Sequence, residues 1–581
     1  MDKQLNAFFQ IFLLKKNIEL EARFGTKKNI SRIDFDNVIS KLKSLDFKAK
    51  NPSGSYHLNI NNEFIDSKTN TKKISNIRTQ ISHITNIKEY CKTNIIPTEL
   101  AYYISFHKKN AVFIKGERLK PLDYTNFQFR VNLKEETPIP NTTNLVKKTL
   151  QEWNQSKKIF RFIKRFTFLH DDFPLKVDCS IVKSSKKTKW GLSPEYTIEK
   201  AGIFNRQETY EIEIEMVKNE GDKVDDLMKK FKTVIKYVLS GLQQTNFPIS
   251  YDEQEKTLDE YIKILYPTLN KGKKIQRRKI TTRDFVGPSS ISLQFINIRE
   301  INKDVSAPNI RKPYTVTEKA DGIRKLLFIA PQGKIYLIDV NMNVQYTGVI
   351  SQNKEFHKTI IDGEHILHDK KGNFIDLYLA FDIYYINGDD IRGLPFVEEK
   401  NQKTRFLKLD NCIKNLKIKQ IIGNNQFSIR RKTFYQSNGD LIFKNCATIL
   451  NQERDGLFDY EIDGLIFTPA NKSVGMDNLQ NPKKPTKKTW TSSLKWKPPH
   501  LNTIDFLVTT KKLSNGQDFI GNIFENGENL AQAEQLSQYK SLILRVGFDE
   551  SRHGFLNPCE DIINENYLKN NNEENTYRPV P

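Results

Sequence analysis

The tetrapeptide Lys319-Ala320-Asp321-Gly322 decides how this chain is interpreted, because it places a lysine beside a carboxylate and a glycine. It overlaps the β-type stretch TVTEK at residues 315–319, so the lysine is expected near the end of a strand. A K-x-D-G sequence alone is most often a lysine-rich turn on a solvated surface. Its meaning therefore depends on the segments that follow it.

Four later segments supply the groups that a reactive lysine needs, and three of them lie in apolar β-type runs. In chain order they are Asp362-Gly363-Glu364, Phe381-Asp382, Asp463-Gly464 and Lys495-Trp496-Lys497. Attack of a lysine amine on the α-phosphate of a nucleoside triphosphate would give a lysyl-linked nucleotide. Desolvation and neighbouring cations lower the pKa of such a lysine. Five segments in this order predict a covalent nucleotidyltransferase with Lys319 as nucleophile.

The other segments have roles in the same chemistry. Lys495 and Lys497 alternate along a strand, so both side chains share one face and can grip the α-phosphate beside Lys319. Glu364 and Asp463 are predicted to hold a divalent cation that neutralises the triphosphate. The predicted nucleotide-binding residues are Asp321, Gly322, Arg324, Asp362 and Phe381.

This ordered set resembles the nucleotidyltransferase superfamily of mRNA capping guanylyltransferases and polynucleotide ligases. Residues 285–288 (FVGP) and 313–317 (PYTVT), which lead into Lys319, are also similar to the lead-in of viral capping enzymes. The resemblance implies an adenylation-like nucleotidyltransferase fold, GTP as substrate and a covalent lysyl-GMP at Lys319.

Two further segments alternate glutamate with apolar residues and are predicted to be strands. They are IELEARFG at residues 18–25 and YEIEIE at residues 210–215. The commonest meaning of such alternation is a half-exposed antiparallel strand with a polar outer face. Glutamate is a poor strand former, however, and glutamates on one face repel each other unless a cation lies among them. Paired carboxylates on two such strands therefore favour a site for Mg²⁺ or Mn²⁺.

Basic strands are predicted between the two glutamate strands. They cover residues 77–79, 127–134 and 160–168, in which cations alternate with apolar residues. Arg161 and Arg165 share a face, as do Arg130, Asn132 and Lys134. Together with the glutamate faces they predict a barrel with a charged interior whose cations grip phosphates. Nucleic-acid binding on an outer sheet face is the alternative for these cations.

The region of residues 1–255 thus resembles the triphosphate tunnel metalloenzymes, specifically the metal-dependent RNA triphosphatases of viral and fungal capping enzymes. The resemblance implies metal binding by Glu19, Glu21 and two of the set Glu211, Glu213 and Glu215. It also implies triphosphate binding by Arg78, Arg130, Lys134, Arg161 and Arg165. Fusion of both modules resembles the multifunctional capping enzymes of large cytoplasmic DNA viruses, poxvirus-like and mimivirus-like, whereas ligases carry no such first domain.

Composition agrees with a polyanionic partner. The 581 residues suffice for two or three domains, and 92 Lys and Arg against 69 Asp and Glu give a net charge of +23.

Five cysteines (Cys91, Cys179, Cys412, Cys446 and Cys559) contain no C-x-x-C pair, which predicts neither a zinc site nor a disulfide framework. The apolar opening, residues 8–14, is too short for a membrane span and is predicted to be a core helix.

The predicted fold is α+β and multidomain. An antiparallel β tunnel (1–255) is followed by a basic linker (256–280), a nucleotidyltransferase domain (281–502) and the start of an incomplete OB-fold (503–581). Within this frame, residues 224–242 predict a helix, residues 401–421 a helix followed by a strand, and residues 470–490 a loop. Residues 503–509 and 541–546 predict strands, whereas 271–279 and 564–575 predict a solvated and a disordered segment.

The sequence thus predicts two activities on the nascent RNA 5′ end. The first removes the γ-phosphate with Mg²⁺ or Mn²⁺, and the second transfers GMP from GTP through Lys319. No closing motif is found after Lys497, so the chain is expected to be a fragment or to be completed by a C-terminal methyltransferase region or a partner subunit. The resemblance implies a viral factory in the host cytoplasm, or the virion, and no membrane. The alternatives are an ATP-dependent polynucleotide ligase with an N-terminal RNA-binding domain, and an RNA-binding scaffold with decayed sites.

Overall fold

A computed structural model of the protein describes residues 2–66, 69–96, 103–114, 116–189, 191–267, 279–301, 307–398, 403–421, 427–480, 489–503, 506–522, 538–549 and 577–580. Backbone contacts divide the chain into two units, Met1–Leu242 with Thr503–Pro581, and Gln243–Asn502. This division precedes the boundary predicted at residue 255, because the helix Tyr251–Leu265 buries Tyr261 and Leu265 in the core of the second unit. The predicted linker, 256–280, therefore begins inside a helix, and its residues 268–278 lie outside the described ones.

Six α-helices are described between residues 2 and 243, and the last of them ends the first unit. They are α1 (Asp2–Leu14), α2 (Arg32–Lys43), α3 (Ile84–Thr93), α4 (Asn144–Gln151), α5 (Ile198–Ala201) and α6 (Val224–Gln243). The sequence predicted the first and last of these, and both predictions are confirmed. Ser31 begins α2 with a capping box, in which its side chain accepts from the Asp34 amide and the Asp34 carboxylate accepts from the Ser31 amide.

Eight antiparallel strands of the first unit close into a barrel. They are β1 (Ile18–Phe24), β2 (Ser55–Asp66), β3 (Ile77–Ser82), β4 (Ile104–Ala111), β5 (Phe129–Ile139), β6 (Lys158–His170), β7 (Phe173–Ser184) and β8 (Thr209–Met216). Neighbours pair in the order β1-β5-β4-β3-β2-β6-β7-β8, and β8 returns to β1. Short strands at Lys48–Ala49, Thr71–Ile74 and Leu122–Tyr124 extend this sheet, and Phe113–Ile114 pairs with Glu117–Arg118. The predicted antiparallel tunnel is thereby confirmed.

The apolar core of this unit lies outside the barrel. Leu20 and Ala22 of β1 and Ile214 of β8 are fully buried against helices, with Phe9 of α1 and Phe231 of α6 in the same cluster. Burial of each such large side chain contributes about 1.5–3 kcal/mol. Because alternate residues of a strand face opposite sides, the glutamates between these apolar residues are directed into the barrel.

The described residues of the second unit form three α-helices and two sheets. The helices are α7 (Tyr251–Leu265), α8 (Arg405–Asn415) and α9 (Leu441–Arg454). The strands are β9 (Ser289–Ser292), β10 (Tyr314–Ala320), β11 (Ile323–Ile329), β12 (Lys334–Asp339), β13 (Val344–Ser351), β14 (Thr359–His368), β15 (Phe374–Ile386), β16 (Ser428–Arg431), β17 (Tyr435–Ser437), β18 (Ile462–Pro469) and β19 (Thr489–Trp496). The helix and strand predicted within residues 401–421 are confirmed as α8 and the short strand Ile418–Gln420.

The two sheets meet where β10 passes into β11. One sheet has the order β9-β19-β18-β10-β17, and the other has the central order β15-β14-β11-β12-β13, with Asp389–Asp390 and Ile418–Gln420 at its edges and β16 parallel to β15. Lys319 lies near the end of β10 and Arg324 near the start of β11. This crossing therefore brings the predicted lysine to the junction of the two sheets.

After residue 502 the described chain forms small antiparallel ladders. Leu507–Thr510 pairs with Leu542–Asp549, which also pairs with Tyr577–Val580, and Ile520–Asn522 pairs with Gln538–Lys540. The two strands predicted here are confirmed, and the start of an OB-fold stays a prediction. The segment 564–575, most of 271–279 and residues 481–488 of the predicted loop lie outside the described residues.

Two further sequence predictions concern cysteines and membranes. Cys91, Cys179, Cys412 and Cys446 are free thiols, and Cys559 lies outside the described residues. Among the helices of the described ranges, none has the length and apolar character needed to cross a bilayer.

Candidate active sites

The interior of the first unit's barrel is lined by charged side chains. Arg161 of β6 donates to both carboxylate oxygens of Glu211 at 2.9 Å, and these residues lie on strands separated by β7. Arg78 of β3 likewise binds Glu136 of β5 across β4. Contacts that bypass an intervening strand require both side chains to face the barrel interior, as the alternation in β1, β5, β6 and β8 predicted.

Glutamates of β1 and β8 lie side by side within the barrel. Glu21 is directly opposite Glu215 in the ladder, and Arg23 is opposite Glu213. Burial raises the pKa of Glu19, Lys109 opposes this shift and the nearby Glu136 and Glu215 carboxylates add to it, so that the pKa reaches about 7. Burial and the field of Glu21 also raise the pKa of Glu213. The five predicted glutamates are therefore on one inner surface, where their charges are only partly compensated.

Each of these glutamates is bound by at least one lysine or arginine side chain of the barrel. Lys109 lies 3.4 Å from Glu19, and Lys176 lies 3.1 Å from Glu215. Glu21 is bound by Lys134 and accepts from the Asn132 amide at 3.2 Å. Arg23 lies 2.7 Å from Glu211 and 3.5 Å from Glu213. The cluster is thus a connected network of ion pairs inside the barrel.

The donor chemistry of this cluster fits a hard divalent cation. Mg²⁺ and Mn²⁺ prefer carboxylate oxygen, and Glu21 and Glu215 on the paired strands β1 and β8 supply it. In the described residues, no three carboxylate, histidine or cysteine side chains converge on a common point. A cation bound between Glu21 and Glu215 would therefore replace their present partners, Lys134 and Lys176.

Four of the five predicted triphosphate-binding residues contact acidic side chains inside the barrel. They are Arg78, Lys134, Arg161 and Arg165. Arg130 is on the same face of β5 as Lys134, but its guanidinium binds the exposed Asp123 carboxylate at 2.6 and 3.0 Å in the adjoining short strand. The sequence missed Lys109 and His107, which bind Glu136, and Lys176 on β7. The alternating polar run SFHKKN at residues 105–110 was an available signal for the first two.

The second unit brings Lys319, Asp463 and Lys497 together. Lys319 Nζ lies 2.6 and 2.9 Å from the two Asp463 oxygens, and Lys497 Nζ lies 2.7 Å from Asp463 Oδ2. Although burial acts to raise the pKa of Asp463, hydrogen bonds from the two lysines hold it below its ordinary value. The predicted nucleophile, one predicted cation and one predicted metal ligand therefore form a single cluster.

Gly464 allows this cluster to form. Its φ is +142°, and a Cβ at this position would lie 1.9 Å from the Trp496 carbonyl oxygen and 3.1 Å from Lys497 Cα. Only glycine tolerates that conformation and that approach. The close contact between β18 and the end of β19 places Asp463 beside Lys497.

A cavity of about 280 Å³ adjoins Lys319. The predicted residues that line it are Lys319, Arg324, Glu364, Phe381 and Lys495. The sequence did not predict its other wall residues, which include Thr317, Phe396, Lys432, Phe434 and Trp490. Phe396 and Phe434 pack edge to face, with ring centroids 4.9 Å apart, and form an aromatic wall. A cavity with cations at one side and rings at another suits a nucleotide.

Three predicted nucleotide-binding residues do not line this cavity. Asp362 is fully buried and instead binds Arg324 Nε at 3.1 Å and the Tyr384 hydroxyl at 2.5 Å. Asp321 and Gly322 form the turn between β10 and β11, where the Asp321 amide donates to Glu461 O at 2.9 Å. Asp362 supports the cavity wall from behind, since it fixes the Arg324 guanidinium.

Glu364 is the least satisfied carboxylate of this site. Its Oε2 atom is buried and has no hydrogen-bond partner among the described residues. Burial raises the pKa of Glu364, and Lys432 and Arg324 oppose that shift. Both Asp463 oxygens are bound by lysines, whereas Glu364 keeps an oxygen available to a cation or a ligand hydroxyl. Glu364 could therefore bind the divalent cation that the motifs predicted, whereas a cation at Asp463 would have to displace a lysine.

Comparisons with known proteins agree with this site. The family model "mRNA capping enzyme, catalytic domain" matches residues 217–499, a range that contains Lys319, Asp463 and Lys497. A probable mRNA-capping enzyme of Acanthamoeba polyphaga mimivirus is 25% identical over 59% of this chain and 29% of its own length. The mRNA-capping enzyme of Danio rerio is 26% identical over 45% of this chain and 42% of its own. The chain thus covers less than half the length of either relative.

Part of the chain also aligns with a solved structure. The RNA triphosphatase domain of a trifunctional mimivirus mRNA capping enzyme aligns with 41% of this chain and 96% of its own, at 16% identity and a TM-score of 0.27. The family match and the sequence relatives confirm the resemblance to mRNA capping enzymes that the motifs predicted.

Proposed function

We propose that this protein caps RNA in two steps, with the tunnel region, predicted as residues 1–255, acting before the nucleotidyltransferase region, predicted as 281–502. The observation that carries the proposal is the Lys319, Asp463 and Lys497 cluster beside a cavity of about 280 Å³. The mRNA-capping relatives support RNA 5′ ends and GTP as substrates. A viral factory in the host cytoplasm, or the virion, and a methyltransferase region or partner belong to the same proposal.

The first step is hydrolysis of the γ-phosphate of triphosphate-ended RNA. Arg78, Arg161 and Arg165 would bind the phosphate oxygens, because guanidinium groups match their geometry with paired hydrogen bonds. Glu19, Glu21, Glu213 and Glu215 would hold Mg²⁺ or Mn²⁺, which when bound polarises the terminal phosphate and activates water. Glu211 pairs with Arg23 and Arg161, so its contribution is to position those cations.

The second step transfers GMP through Lys319. The neutral amine attacks the α-phosphorus of GTP, a nitrogen–phosphorus bond forms, the nitrogen releases a proton to solvent, and the bond to the β-phosphate breaks as pyrophosphate leaves. A terminal oxygen of the diphosphate-ended RNA then attacks the same phosphorus, and the lysine nitrogen leaves with the electron pair and takes up a proton. Lys497 and Lys495 would stabilise the α-phosphate charge, and Glu364 with Asp463 would hold the divalent cation.

Transfer of label from α-labelled GTP to the protein tests this proposal. The wild-type chain should form an adduct with GTP in preference to ATP, and Lys319→Ala should form none. Phosphate release from triphosphate-ended RNA should continue in Lys319→Ala, which controls for folding. An adduct formed only from ATP would replace the capping assignment with the polynucleotide ligase. Absence of any adduct would favour the RNA-binding scaffold.

A further inference from the structure

A basic hairpin in the first unit has no role in either site. Residues 183–189 (KSSKKTK) contain four lysines and no carboxylate. Lys187–Thr188 pairs with Gly191–Leu192, and the Thr188 hydroxyl donates to Gly191 O at 2.9 Å. Lys186 and Lys187 are exposed, and neither forms an ion pair with a carboxylate in the part of the chain that the structure describes. Their charges are therefore available to an anionic partner.

An aromatic ring and another lysine adjoin the hairpin. Tyr196 is 44% exposed, and Lys157 Nζ lies 5.3 Å from the centroid of its ring. Backbone hydrogen bonds of 2.7 and 2.9 Å join Lys158 to Glu195, and the Ser193 amide donates to Lys186 O at 2.8 Å. The hairpin, Tyr196 and Lys157 are thus parts of one continuous surface.

Buried polar groups make the base of this surface rigid. Lys158 is 1% exposed, and its ammonium donates to Trp153 O at 2.6 Å and Ser156 O at 2.7 Å. The Trp153 indole donates to Asn94 O at 3.0 Å, and the Asn94 side chain accepts from the Ile198 amide at 3.0 Å. These bonds fix the loops that carry Lys157 and Tyr196, so little ordering is needed when a ligand binds.

The surface lies at the end of the barrel where β6 begins and β7 ends. Arg161, which faces the interior, is opposite Ser184 in the ladder. Ser185 and Lys186 follow Ser184 directly in the chain. Ser185 is buried, and its hydroxyl accepts from the Phe160 amide at 3.0 Å, which anchors the hairpin to β6. A strand whose 5′ phosphates contact Arg161 would therefore leave the tunnel beside these lysines.

We propose that Lys157, Lys186, Lys187 and Tyr196 bind the first nucleotides of single-stranded RNA that follow the 5′ triphosphate. The inference rests on the proposed triphosphatase function of the tunnel and names how its substrate is held. Lysines bind phosphodiesters and release counterions, and the tyrosine ring offers a stacking face that accepts any base. Glu195 is the one carboxylate in residues 183–196, against four lysines, so the segment keeps a positive charge.

The test compares Lys186→Ala/Lys187→Ala and Tyr196→Ala with a matched control, Lys229→Ala/Lys232→Ala on α6. Fluorescence anisotropy measures binding of a 5′-hydroxyl RNA of about twenty nucleotides. Kinetic assays measure phosphate release from triphosphate-ended RNA and from inorganic tripolyphosphate. Binding should weaken at least fivefold in the hairpin and Tyr196 variants, with an equal rise in KM for RNA. The hairpin variant should also lower the log–log salt slope by about 1.4, for two lost phosphate contacts on a single strand.

Hydrolysis of tripolyphosphate should stay unchanged in all three variants, because it has no nucleotides for this surface to bind. Equal weakening in the α6 control, or less than a twofold change in the hairpin variant, would overturn the inference. Equal loss of tripolyphosphate hydrolysis would also overturn it, since the lysines would then act in the tunnel. Binding of 5′-hydroxyl RNA needs no catalysis. A wild-type protein that binds RNA through these residues but releases no phosphate would therefore refute the proposed function alone.

Discussion

Substitution of Gly464 by alanine should impair nucleotidyl transfer without unfolding the protein. The new Cβ would lie 1.9 Å from the Trp496 carbonyl oxygen, whereas such contacts in proteins do not fall below 3.0 Å. The end of β19 must therefore move by roughly 1 Å, a displacement large enough to disturb a catalytic geometry. Lys495 lies on this strand and Lys497 follows it directly, so both lysines move with it.

The displacement acts on short contacts. Asp463 joins Lys319 at 2.6 Å and Lys497 at 2.7 Å, and neither bond survives a shift of that size unchanged. A misplacement of about 1 Å can slow a reaction about 100-fold, which corresponds to ~2.7 kcal/mol in the activation barrier. We expect the rate of GMP-adduct formation from labelled GTP to fall by about this factor. Phosphate release from triphosphate-ended RNA should remain near the wild-type rate, because the tunnel belongs to the other unit.

Gly456→Ala provides the matched control. Gly456 also has a positive φ, +73°, but a Cβ there meets no atom within 4 Å. Both substitutions place alanine at a positive φ, which costs about 1–3 kcal/mol, and only Gly464→Ala also displaces β19. Adduct formation in Gly456→Ala should stay within twofold of wild type. A Gly464→Ala rate within threefold of wild type, or an equally slow Gly456→Ala, would refute the argument that this close approach positions the lysines.

Three other expectations follow from the same structure. Glu21→Ala and Glu213→Ala should each reduce phosphate release from triphosphate-ended RNA at least 100-fold and leave adduct formation intact; parallel loss of both activities in folded protein would mean that the two sites are one. Lys319→Arg should form no adduct, because a guanidinium stays protonated, and the wild-type adduct should be acid-labile and alkali-stable as a phosphoramidate is; an adduct that persists in Lys319→Ala would disprove the assignment. Burial lowers the pKa of Lys325 from 10.5 to about 8. Between these pH values the Lys325 side chain is protonated in the unfolded chain and neutral in the folded one. Lys325 should therefore contribute a rise of about 3 kcal/mol in the free energy of unfolding as pH increases from 8 to 10.5. Lys325→Met should lose that increase in denaturant titrations, and an unchanged increase would assign it to another group.

Strict alternation explains which barrel strands the sequence could predict. In residues 19–23 of β1 and 211–215 of β8 every second residue is a glutamate or an arginine, and the residues between them are buried in the outer core. The run HKKN in β4 is harder to interpret, because Lys108 and Lys109 are adjacent and only one of two neighbours can face inward. The alternation of residues in a short strand predicts which side chains face inward only when the two faces of the strand differ in polarity.

The helix α7 shows a different limit. Its amphipathic pattern indicates a helix, but an apolar face does not specify which core will bury it. Tyr261 donates to Asp284 O at 2.8 Å and accepts from the Val286 amide at 3.2 Å, both in the second unit. These contacts are made with residues more than twenty positions further along the chain, which a local helical pattern does not reveal, and the boundary at residue 255 stays a prediction.

The cavity wall could be predicted only where its residues belong to compact motifs. Lys319, Glu364 and Lys495 are each flanked by a recognisable pattern, whereas Phe396 and Lys432 come from segments with no such pattern. Lys432 reaches the site because its ammonium donates to Glu318 O at 3.1 Å from the segment between β16 and β17. Such contacts depend on how two sheets pack, which local spacing does not encode.

Three carboxylates on β14 and β15 illustrate why residue type alone did not identify the functional ones. Asp362 is compensated by Arg324 and Tyr384, and Asp382 accepts from Arg405 Nε at 2.9 Å and Nη2 at 3.1 Å. A buried ion pair of this kind contributes fixed geometry, since loss of either partner leaves an uncompensated charge. Glu364 has no arginine or tyrosine hydrogen bond to its Oε2 atom within the described ranges. Glu364, which the fold leaves with an unpaired oxygen, is therefore the carboxylate available to bind a ligand. Asp362 and Asp382 are fully paired, and they fix the position of the residues around it.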